Sequence, residues 1–151
     1  MKRSRDVWLR AVSALGLELQ WLEVVDAADF DAAFERASRG RAQGLYAPAT
    51  NLIVTYRRRI AELAQRERLP SVSDFPLLAE AGFMLSYGAD LEALGRRAVV
   101  YIDKILRGAH PGELPIERPT RFELVVNLKA ARAIGLTLPA ATLQRADRLI
   151  E

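Results

Sequence analysis

The sequence predicts an α/β fold with a parallel sheet, and three observations lead to that prediction. Short apolar segments of strand length alternate along the chain with longer amphipathic segments of helical length. Glycine or proline stands at many of the boundaries between them. The chain has 151 residues, 50% of them hydrophobic, which is enough for one domain with its own core. Strands that alternate with helices in this way typically form βαβ units, whose strands are parallel.

Five apolar segments have the length and the residue types of strands. They are residues 17–25, 44–48, 69–73, 83–87 and 122–126. The first segment alternates, which places Leu17, Leu19 and Trp21 on one face. The second ends at Pro48, because proline lacks the amide that a strand ladder needs.

Seven further segments are predicted as helices from the spacing of their apolar residues. In chain order they span residues 7–15, 30–40, 52–68, 75–81, 90–108, 128–135 and 139–151. Asp29, Asn51 and Asn127 are suited to cap the first turns of three of them. Gly16 is suited to end the first helix, because glycine tolerates the backbone conformation that follows a last turn.

Two of these helices carry well-defined apolar faces. The helix at 52–68 is expected to bury Ile53, Tyr56, Ile60 and Leu63. The helix at 90–108 carries a longer apolar stripe made of Leu91, Leu94, Ala98, Tyr101, Ile102 and Ile105. Pro111, Pro115 and Pro119 follow it and predict a stiff, extended connector.

Composition argues against several classes of function. The net charge of +3 comes from basic residues that are spread from Lys2 to Arg148 and interleaved with acids, so we expect solvated helix faces and no nucleic-acid partner. No apolar run approaches the roughly 20 residues that a membrane span requires. The chain has no cysteine, which excludes disulfides and thiol chemistry.

Two further expectations concern the amino-terminal end of the chain. Asp6 and Arg10 interrupt the basic opening segment, so it does not have the pattern of a signal peptide. We therefore expect a mature or truncated form, or a chain that is cytoplasmic if expressed as it stands. The chain also opens on a predicted helix, whereas an α/β unit usually opens on a strand.

Candidate binding residues follow three predicted strands, since ligands of open α/β sheets bind beyond the carboxyl ends of the strands. They are Thr50 and Asn51 after the second strand, Ser73, Asp74 and Phe75 after the third, and Ser86 and Tyr87 in the fourth. Asn51 and the amides after it could hold a carboxylate, and Asp74 could accept from an amine. Phe75 or Tyr87 could pack on an apolar or aromatic solute. Together the set would suit a zwitterionic amino acid.

Each of these residues also has a purely structural interpretation. Asn51 could serve only as a cap, Ser73 and Asp74 could form a turn, and Tyr87 could belong to the core. Nothing supports an enzyme, a metal or a cofactor: there is no P-loop, GxGxxG or GxSxG motif, and His110 is the one histidine. Arg57, Arg58 and Arg59 are consecutive and should point around a helix, so we do not expect them to share one cleft.

A series of segments in a fixed order resembles one transport family. Among them are residues 14–19, 30–34, 58–63, 85–88, 101–108, 119–127 and 133–136. The chain resembles the carboxyl-terminal end of the ABC-transporter solute-binding proteins of the "uncharacterised, periplasmic component" type, some of which are linked to aromatic amino acid uptake. One departure is the turn at 47–50, where Ala-Pro-Ala-Thr replaces the usual Asp-containing turn and leaves the solute open.

This resemblance implies both an architecture and a function. Residues 1–151 would form a single three-layer, parallel-sheet lobe of a type I periplasmic binding protein fold, with the amino-terminal lobe missing. Residues 89–108 would form a helix that belongs to the other lobe or to a partner chain. The family members are periplasmic, or extracellular and membrane-anchored. They bind a small solute, an amino acid being one candidate, in the cleft between the lobes and deliver it to an ABC permease, without enzymatic chemistry.

The alternative is a stand-alone, non-enzymatic interaction or regulatory module derived from such a lobe. A helix shaped to cover the sheet of an absent lobe leaves its apolar stripe without a partner. We therefore expect this chain to form a homo-oligomer through Leu91, Leu94, Tyr101 and Ile105.

Overall fold

A computed structural model describes residues 2–151, with side chains from Arg5 onward. The chain divides into two compact units, residues 1–43 and residues 44–151. No helix within residues 2–151 is both long enough and apolar enough to cross a bilayer.

The first unit contains two helices, α1 (Lys2–Ala14) and α2 (Asp29–Arg39). Gly16 ends α1 as predicted: its φ is +68°, and the amides of Gly16 and Leu17 donate to the carbonyls of Ser13 and Val12. Asp29 is the first residue of α2 and not its cap, so that prediction is wrong; its carboxylate accepts the amides of Val25 and Asp26 at 2.7 and 3.1 Å. These backbone hydrogen bonds lower the pKa of Asp29.

The strand predicted at residues 17–25 is absent from the structure, where these residues have no strand assignment. Side chains tie the segment to the neighbourhood of α2 instead: the Gln20 amide donates to the Gly40 carbonyl, and Arg36 donates to the Glu23 carbonyl at 3.4 Å. An alternating pattern makes a segment suitable for a sheet, but a strand forms only where a second strand accepts its backbone groups. The prediction is therefore wrong for this structure.

The second unit is built on a five-stranded sheet with the order β1-β2-β3-β4-β5. Its strands are β1 (Leu45–Tyr46), β2 (Ser71–Ser73), β3 (Leu85–Ala89), β4 (Phe122–Asn127) and β5 (Arg148–Ile150). Strand β4 is antiparallel to β3, and the other three pairings are parallel. The predicted α/β class with a mostly parallel sheet is confirmed.

Six α-helices and one short 3-10 helix connect these strands. They are α3 (Asn51–Thr55), α4 (Arg57–Arg66), α5 (Pro76–Glu80), α6 (Leu91–Leu106), the 3-10 turn Pro111–Glu113, α7 (Leu128–Ala133) and α8 (Ala140–Gln144). Asn127 caps α7 as predicted, by accepting the Ala130 amide at 2.9 Å, and Asp90 caps α6 by accepting the Ala93 amide at 2.8 Å.

The helix predicted at residues 52–68 is divided into α3 and α4 at Tyr56, whose φ and ψ of −100° and 19° depart from helical values. Ile53, Ile60 and Leu63 are buried as predicted. Tyr56 is not, since 38% of it is exposed. The break interrupts the helical spacing at Tyr56, and this residue of the predicted apolar stripe lies outside the core.

The carboxyl-terminal segment forms a strand where a helix was predicted. Helix α8 ends at Gln144, and the chain then pairs with β4. Asp147 directs this pairing, because its amide donates to the Leu124 carbonyl at 2.9 Å and its carboxylate accepts the Leu124 amide at 2.8 Å. Arg148 then bonds Glu80 at 2.8 Å and lies 3.4 Å from Glu123. The backbone groups of β4 thus gain partners that a last helix could not supply.

The core of the second unit packs against this sheet, and it includes three serines on one face. Phe83, Leu78, Val125 and Val126 are fully buried. Ser71, Ser73 and Ser86 are buried as well, with 3%, 1% and 0% of each residue exposed. The Ser71 hydroxyl accepts the Met84 amide at 3.1 Å. The Ser86 hydroxyl makes no hydrogen bond to any residue described in the structure.

Helix α6 is the longest helix, and none of its residues is buried. The connector after it lies along one side of the helix: the Tyr101 hydroxyl donates to the Pro115 carbonyl at 2.5 Å, and Arg97 bonds both carboxylate oxygens of Glu117. The Arg97 guanidinium also lies 5.7 Å from the centre of the Tyr101 ring. These contacts are polar and partly cover Tyr101, whereas the rest of the apolar stripe stays exposed: Leu91, Leu94, Ala98, Ile102 and Ile105. Whether α6 belongs to another lobe or to a partner chain stays a prediction.

Gly88 in β3 leaves no room for a side chain, and Gly95 in α6 has open space around it. A Cβ at Gly88 would lie 2.0 Å from the Asp74 carbonyl oxygen, whereas a Cβ at Gly95 would have no neighbour within 4 Å. Gly88→Ala should lower the free energy of unfolding by about 1–3 kcal/mol or more. Gly95→Ala, the matched control, should raise it by about 0.5–1 kcal/mol. Urea unfolding measures both, and equal effects would contradict the packing described for Gly88.

Two buried serines offer a second comparison. Ser86→Ala removes a hydroxyl without a bonding partner, so the free energy of unfolding should rise by up to about 1 kcal/mol. Ser71→Ala should lower it by about 1 kcal/mol, because the buried Met84 amide loses its acceptor. Thermal and urea unfolding distinguish the two, and a loss of stability in Ser86→Ala would argue against an unsatisfied hydroxyl.

The Glu117 ion pair predicts an acid-dependent loss of stability. Hydrogen bonds from Arg97 lower the pKa of Glu117 from 4.5 to about 2. Because the folded-state pKa is the lower one, this contribution is present above about pH 4.5 and is lost as the pH falls toward 2. Glu117→Gln should make the unfolding midpoint less sensitive to pH in that range. Glu113→Gln, on the same connector, is the control, and an unchanged slope in Glu117→Gln would refute the assignment.

Candidate functional site

The carboxyl ends of β1, β2 and β3 meet at one edge of the sheet, because the three strands are parallel. Strand β4 begins at this same edge, since it is antiparallel to β3. Here the Asp90 amide donates to the Arg121 carbonyl at 3.0 Å, which joins the start of α6 to the chain that enters β4. The loops at this edge carry most of the predicted binding residues.

Asp74 ties the loops after β1 and β2 together. Its Oδ1 accepts the Ala49 amide at 2.8 Å and lies 3.5 Å from the Ser73 hydroxyl. Asp74 remains exposed, and its backbone packs against Gly88 of β3. Asp74 therefore has a structural role in the turn, and its exposed carboxylate is also available at the edge of the sheet.

Thr50, and not Asn51, caps α3. The Thr50 hydroxyl oxygen accepts the Ile53 amide at 3.4 Å, with the backbone of Thr50 extended. Asn51 is the first residue of α3, and its carbonyl accepts the Thr55 hydroxyl at 2.8 Å. The Asn51 cap is thus a wrong prediction, and one amide of the expected carboxylate site is already engaged. Both residues are exposed and present polar groups at this edge.

Ser73 and Ser86 lie beneath the surface of the edge. They are paired in register on β2 and β3, and both are almost completely buried. Phe75 is half-buried and precedes the first turn of α5, where its carbonyl accepts the Leu78 amide at 3.0 Å. The two serines are therefore part of the interior below the candidate site. Only the exposed residues at this edge are accessible to a solute.

Tyr87 lies on the opposite face of β3 from Ser86, because neighbouring residues of a strand point to opposite faces. It is 59% exposed, so it is not a core residue. Its ring stacks on Phe122 of β4, with 5.8 Å between the ring centres and 23° between the planes. Phe122 is 51% exposed and was not predicted as a site residue. The position of Phe122 depends on the antiparallel register of β4, for which the sequence carries no direct signal.

Tyr46, the last residue of β1, is a second residue that the sequence did not single out. It is 40% exposed. Burial raises the pKa of Tyr46, and the negative charge of Asp74 raises it further. The neutral phenol and the Asp74 carboxylate are therefore neighbours at the carboxyl edge. Its place directly before the Ala47-Pro48 turn is the signal that could have identified it.

Two other predictions concern residues away from this edge. Arg57, Arg58 and Arg59 border one open surface depression of about 300 Å³ together with Thr55 and Tyr56, although they were not expected to share a cleft. His110 accepts the Gly112 amide at 3.2 Å. Among the residues that the structure describes, no three His, Asp or Glu side chains form a group that could hold a metal ion.

Comparisons with known proteins give one consistent result. The family model described as "ABC transporter substrate binding protein" matches residues 6–150. A tyrosine-binding protein of Clostridioides difficile is 25% identical over 97 residues, which cover 64% of this chain and 28% of that protein.

Two solved structures share the fold. A conserved domain protein from Vibrio cholerae superposes with a TM-score of 0.87 at 24% identity, over 97% of this chain and 49% of that one. An ABC domain from Streptococcus pneumoniae in complex with L-Trp superposes with a TM-score of 0.83 at 21% identity, over 99% of this chain and 51% of that one.

The chain thus spans about half the length of these solved structures and a smaller share of the curated relative. The family match covers both units and every strand of the sheet. It confirms the resemblance inferred from the ordered segments of the sequence. This chain belongs to the ABC transporter substrate binding protein family.

Proposed function

We propose that this chain forms the carboxyl-terminal lobe of a solute-binding protein and supplies one wall of the site for a small solute. The observation that carries the proposal is the pairing of an exposed carboxylate, Asp74, with an exposed aromatic pair, Tyr87 and Phe122, on neighbouring strands. Gly88 follows Tyr87 and packs on the Asp74 backbone, which brings the two features to the same edge.

An amino acid with an aromatic side chain fits this combination. Its ammonium group would bind the Asp74 carboxylate, with charge-assisted hydrogen bonds. Its ring would pack on Tyr87 and Phe122, where exposed aromatic surface is available. Thr50 and Asn51 would add neutral donors and acceptors. One relative is a tyrosine-binding protein, and one similar structure is in complex with L-Trp. Both support an aromatic amino acid as the solute class.

The wall is incomplete as a binding site. Arg121 directly precedes Phe122 at this edge with 72% of its side chain exposed, so it could meet the solute carboxylate, but a single lobe leaves the other side of the solute without contacts. A second lobe would add those contacts, and closure of the two lobes would exclude water and strengthen every polar interaction inside. The same closure would change the surface offered to an ABC permease. This gives the chain a role in import outside the cytoplasmic membrane, with no covalent chemistry.

A second candidate function is the stand-alone interaction module. The uncovered apolar stripe of α6 favours it, because soluble proteins seldom leave such a surface exposed without a partner. In this case the chain would act as a homo-oligomer without a solute.

Titration with amino acids tests the solute proposal. A complete site of micromolar affinity corresponds to about 8 kcal/mol, so half of the contacts leave about 4 kcal/mol, or a millimolar dissociation constant. In ¹⁵N-edited NMR spectra, L-Trp, L-Tyr and L-Phe should shift residues 47–51, 74–75 and 87–88 at millimolar concentrations. N-acetyl-L-tryptophan, which lacks the ammonium, and L-Ala, which lacks the ring, should each bind more weakly.

Variants identify the contacts. Asp74→Asn and Tyr87→Ala should each weaken the L-Trp shifts severalfold, and Asp103→Asn, which removes an exposed carboxylate from α6, should leave them unchanged. Micromolar binding would contradict the one-wall proposal, and the absence of shifts at this edge would contradict a solute site here.

A further inference from the structure

Arg121 is the last residue before β4, and it stands beside Phe122 at the carboxyl edge of the sheet. Its carbonyl accepts the Asp90 amide at 3.0 Å, which fixes the backbone of Arg121 next to the end of β3. Its side chain is nevertheless 72% exposed. A cation is therefore held in place at this edge by its backbone, with its charged end accessible to a solute.

The guanidinium of Arg121 is only loosely engaged. Its Nε lies 3.7 Å from Oδ2 of Asp90, whereas a charge-assisted hydrogen bond between nitrogen and a carboxylate measures about 2.7–2.9 Å. The other oxygen of Asp90, Oδ1, already accepts the Ala93 amide at 2.8 Å. The Arg121 side chain has no further hydrogen bond or ion pair among the residues that the structure describes. Its two terminal nitrogens are thus available for another partner.

A carboxylate is the partner that fits these two nitrogens. The guanidinium is planar, and its terminal nitrogens donate two parallel hydrogen bonds to the two oxygens of a carboxylate. A lysine ammonium carries the same charge but lacks this fixed fork. The position of Arg121 therefore favours a solute group that is both anionic and planar.

The opposite charge of Asp74 lies nearby on the same edge. Gly88 packs on the Asp74 backbone and is paired in register with Glu123, two residues after Arg121. Because a strand advances about 3.4 Å per residue, Arg121 lies about 7 Å from Gly88 along the strand direction. Asp74 and Arg121 form no ion pair with each other within the described part of the chain. The edge thus presents one carboxylate and one guanidinium, separate from each other.

An α-amino acid carries the complementary charges, because its ammonium and its carboxylate are attached to the same carbon atom. We propose that Arg121 restricts the site to solutes with a free carboxylate, in addition to the ammonium that Asp74 binds and the ring that packs on Tyr87. This role rests on the solute site proposed for this edge. Amides and decarboxylated amines of the same amino acids then bind more weakly, because they offer the guanidinium one acceptor or none.

The exposure of Arg121 sets the size of this preference. Water competes for an exposed ion pair, and side-chain entropy is lost when the pair forms, so such pairs contribute little. We therefore expect the free acid to bind about threefold to fivefold more tightly than its amide. Closure of a second lobe would remove water from the contact and increase the preference.

Titration of the whole chain with L-Trp and L-tryptophanamide tests this specificity. Both ligands carry the ring, and at about pH 6, below the pKa of an α-amino group, both carry the ammonium. Chemical shifts in ¹⁵N-edited NMR spectra give the two affinities. Arg121→Gln should lower the affinity for L-Trp to that for the amide and leave the affinity for the amide unchanged. Arg121→Lys should retain part of the preference, because it keeps the charge without the fork.

Arg118→Gln is the matched control, since it removes an exposed cation from the same connector, and it should keep the full preference. Circular dichroism verifies that the variants fold. Equal binding of L-Trp and its amide to the unmodified chain would overturn the role of Arg121 and leave the solute site standing. Equal weakening of both ligands by Arg121→Gln would do the same, because a loosened fold affects both. The absence of L-Trp shifts at this edge would overturn both proposals.

Discussion

The close packing of Gly88 against the Asp74 backbone is the contact on which the candidate site depends. It holds the carboxyl end of β3 directly beside the turn after β2. Asp74 in turn accepts the Ala49 amide, which brings in the loop after β1. Three loops that are far apart in the chain are therefore positioned by one glycine and one carboxylate. The polar groups of Thr50 and Asn51 and the ring of Tyr87 take their places from this arrangement.

The elements that could be predicted are those whose pattern reflects contacts within this chain. The apolar segments at 83–87 and 122–126 became β3 and β4, and the Asn127 cap and the approximate limits of α6 were also predicted correctly. The segment at 17–25 failed because alternation shows only that a strand is possible. Strand β5 was missed because its three residues, Arg148–Ile150, follow a helical pattern, and their pairing depends on Asp147.

The sequence predicted which turns lie together at the carboxyl edge better than it predicted the burial and contacts of their residues. The carboxyl-edge rule correctly brought the turns at 50–51 and 74–75 together, since it depends only on parallel strands. Burial could not be read from residue type, so Ser73 and Ser86 were placed with the exposed residues. Phe122 was missed because its contact with Tyr87 requires the register of an antiparallel pair. Adjacent residues of equal capping ability, Thr50 and Asn51, could not be ranked from the sequence.

The double contact between Asp90 and Arg121 has a mechanical consequence. The chain leaves the sheet for α6 at Asp90 and returns at Arg121, and the two crossings are joined by a backbone hydrogen bond of 3.0 Å and an ionic contact of 3.7 Å. The Arg97–Glu117 and Tyr101–Pro115 contacts bind the connector to α6 along the way. Helix and connector are thus held to each other and to both points where the chain leaves and re-enters the sheet, so these contacts resist a displacement of either one alone.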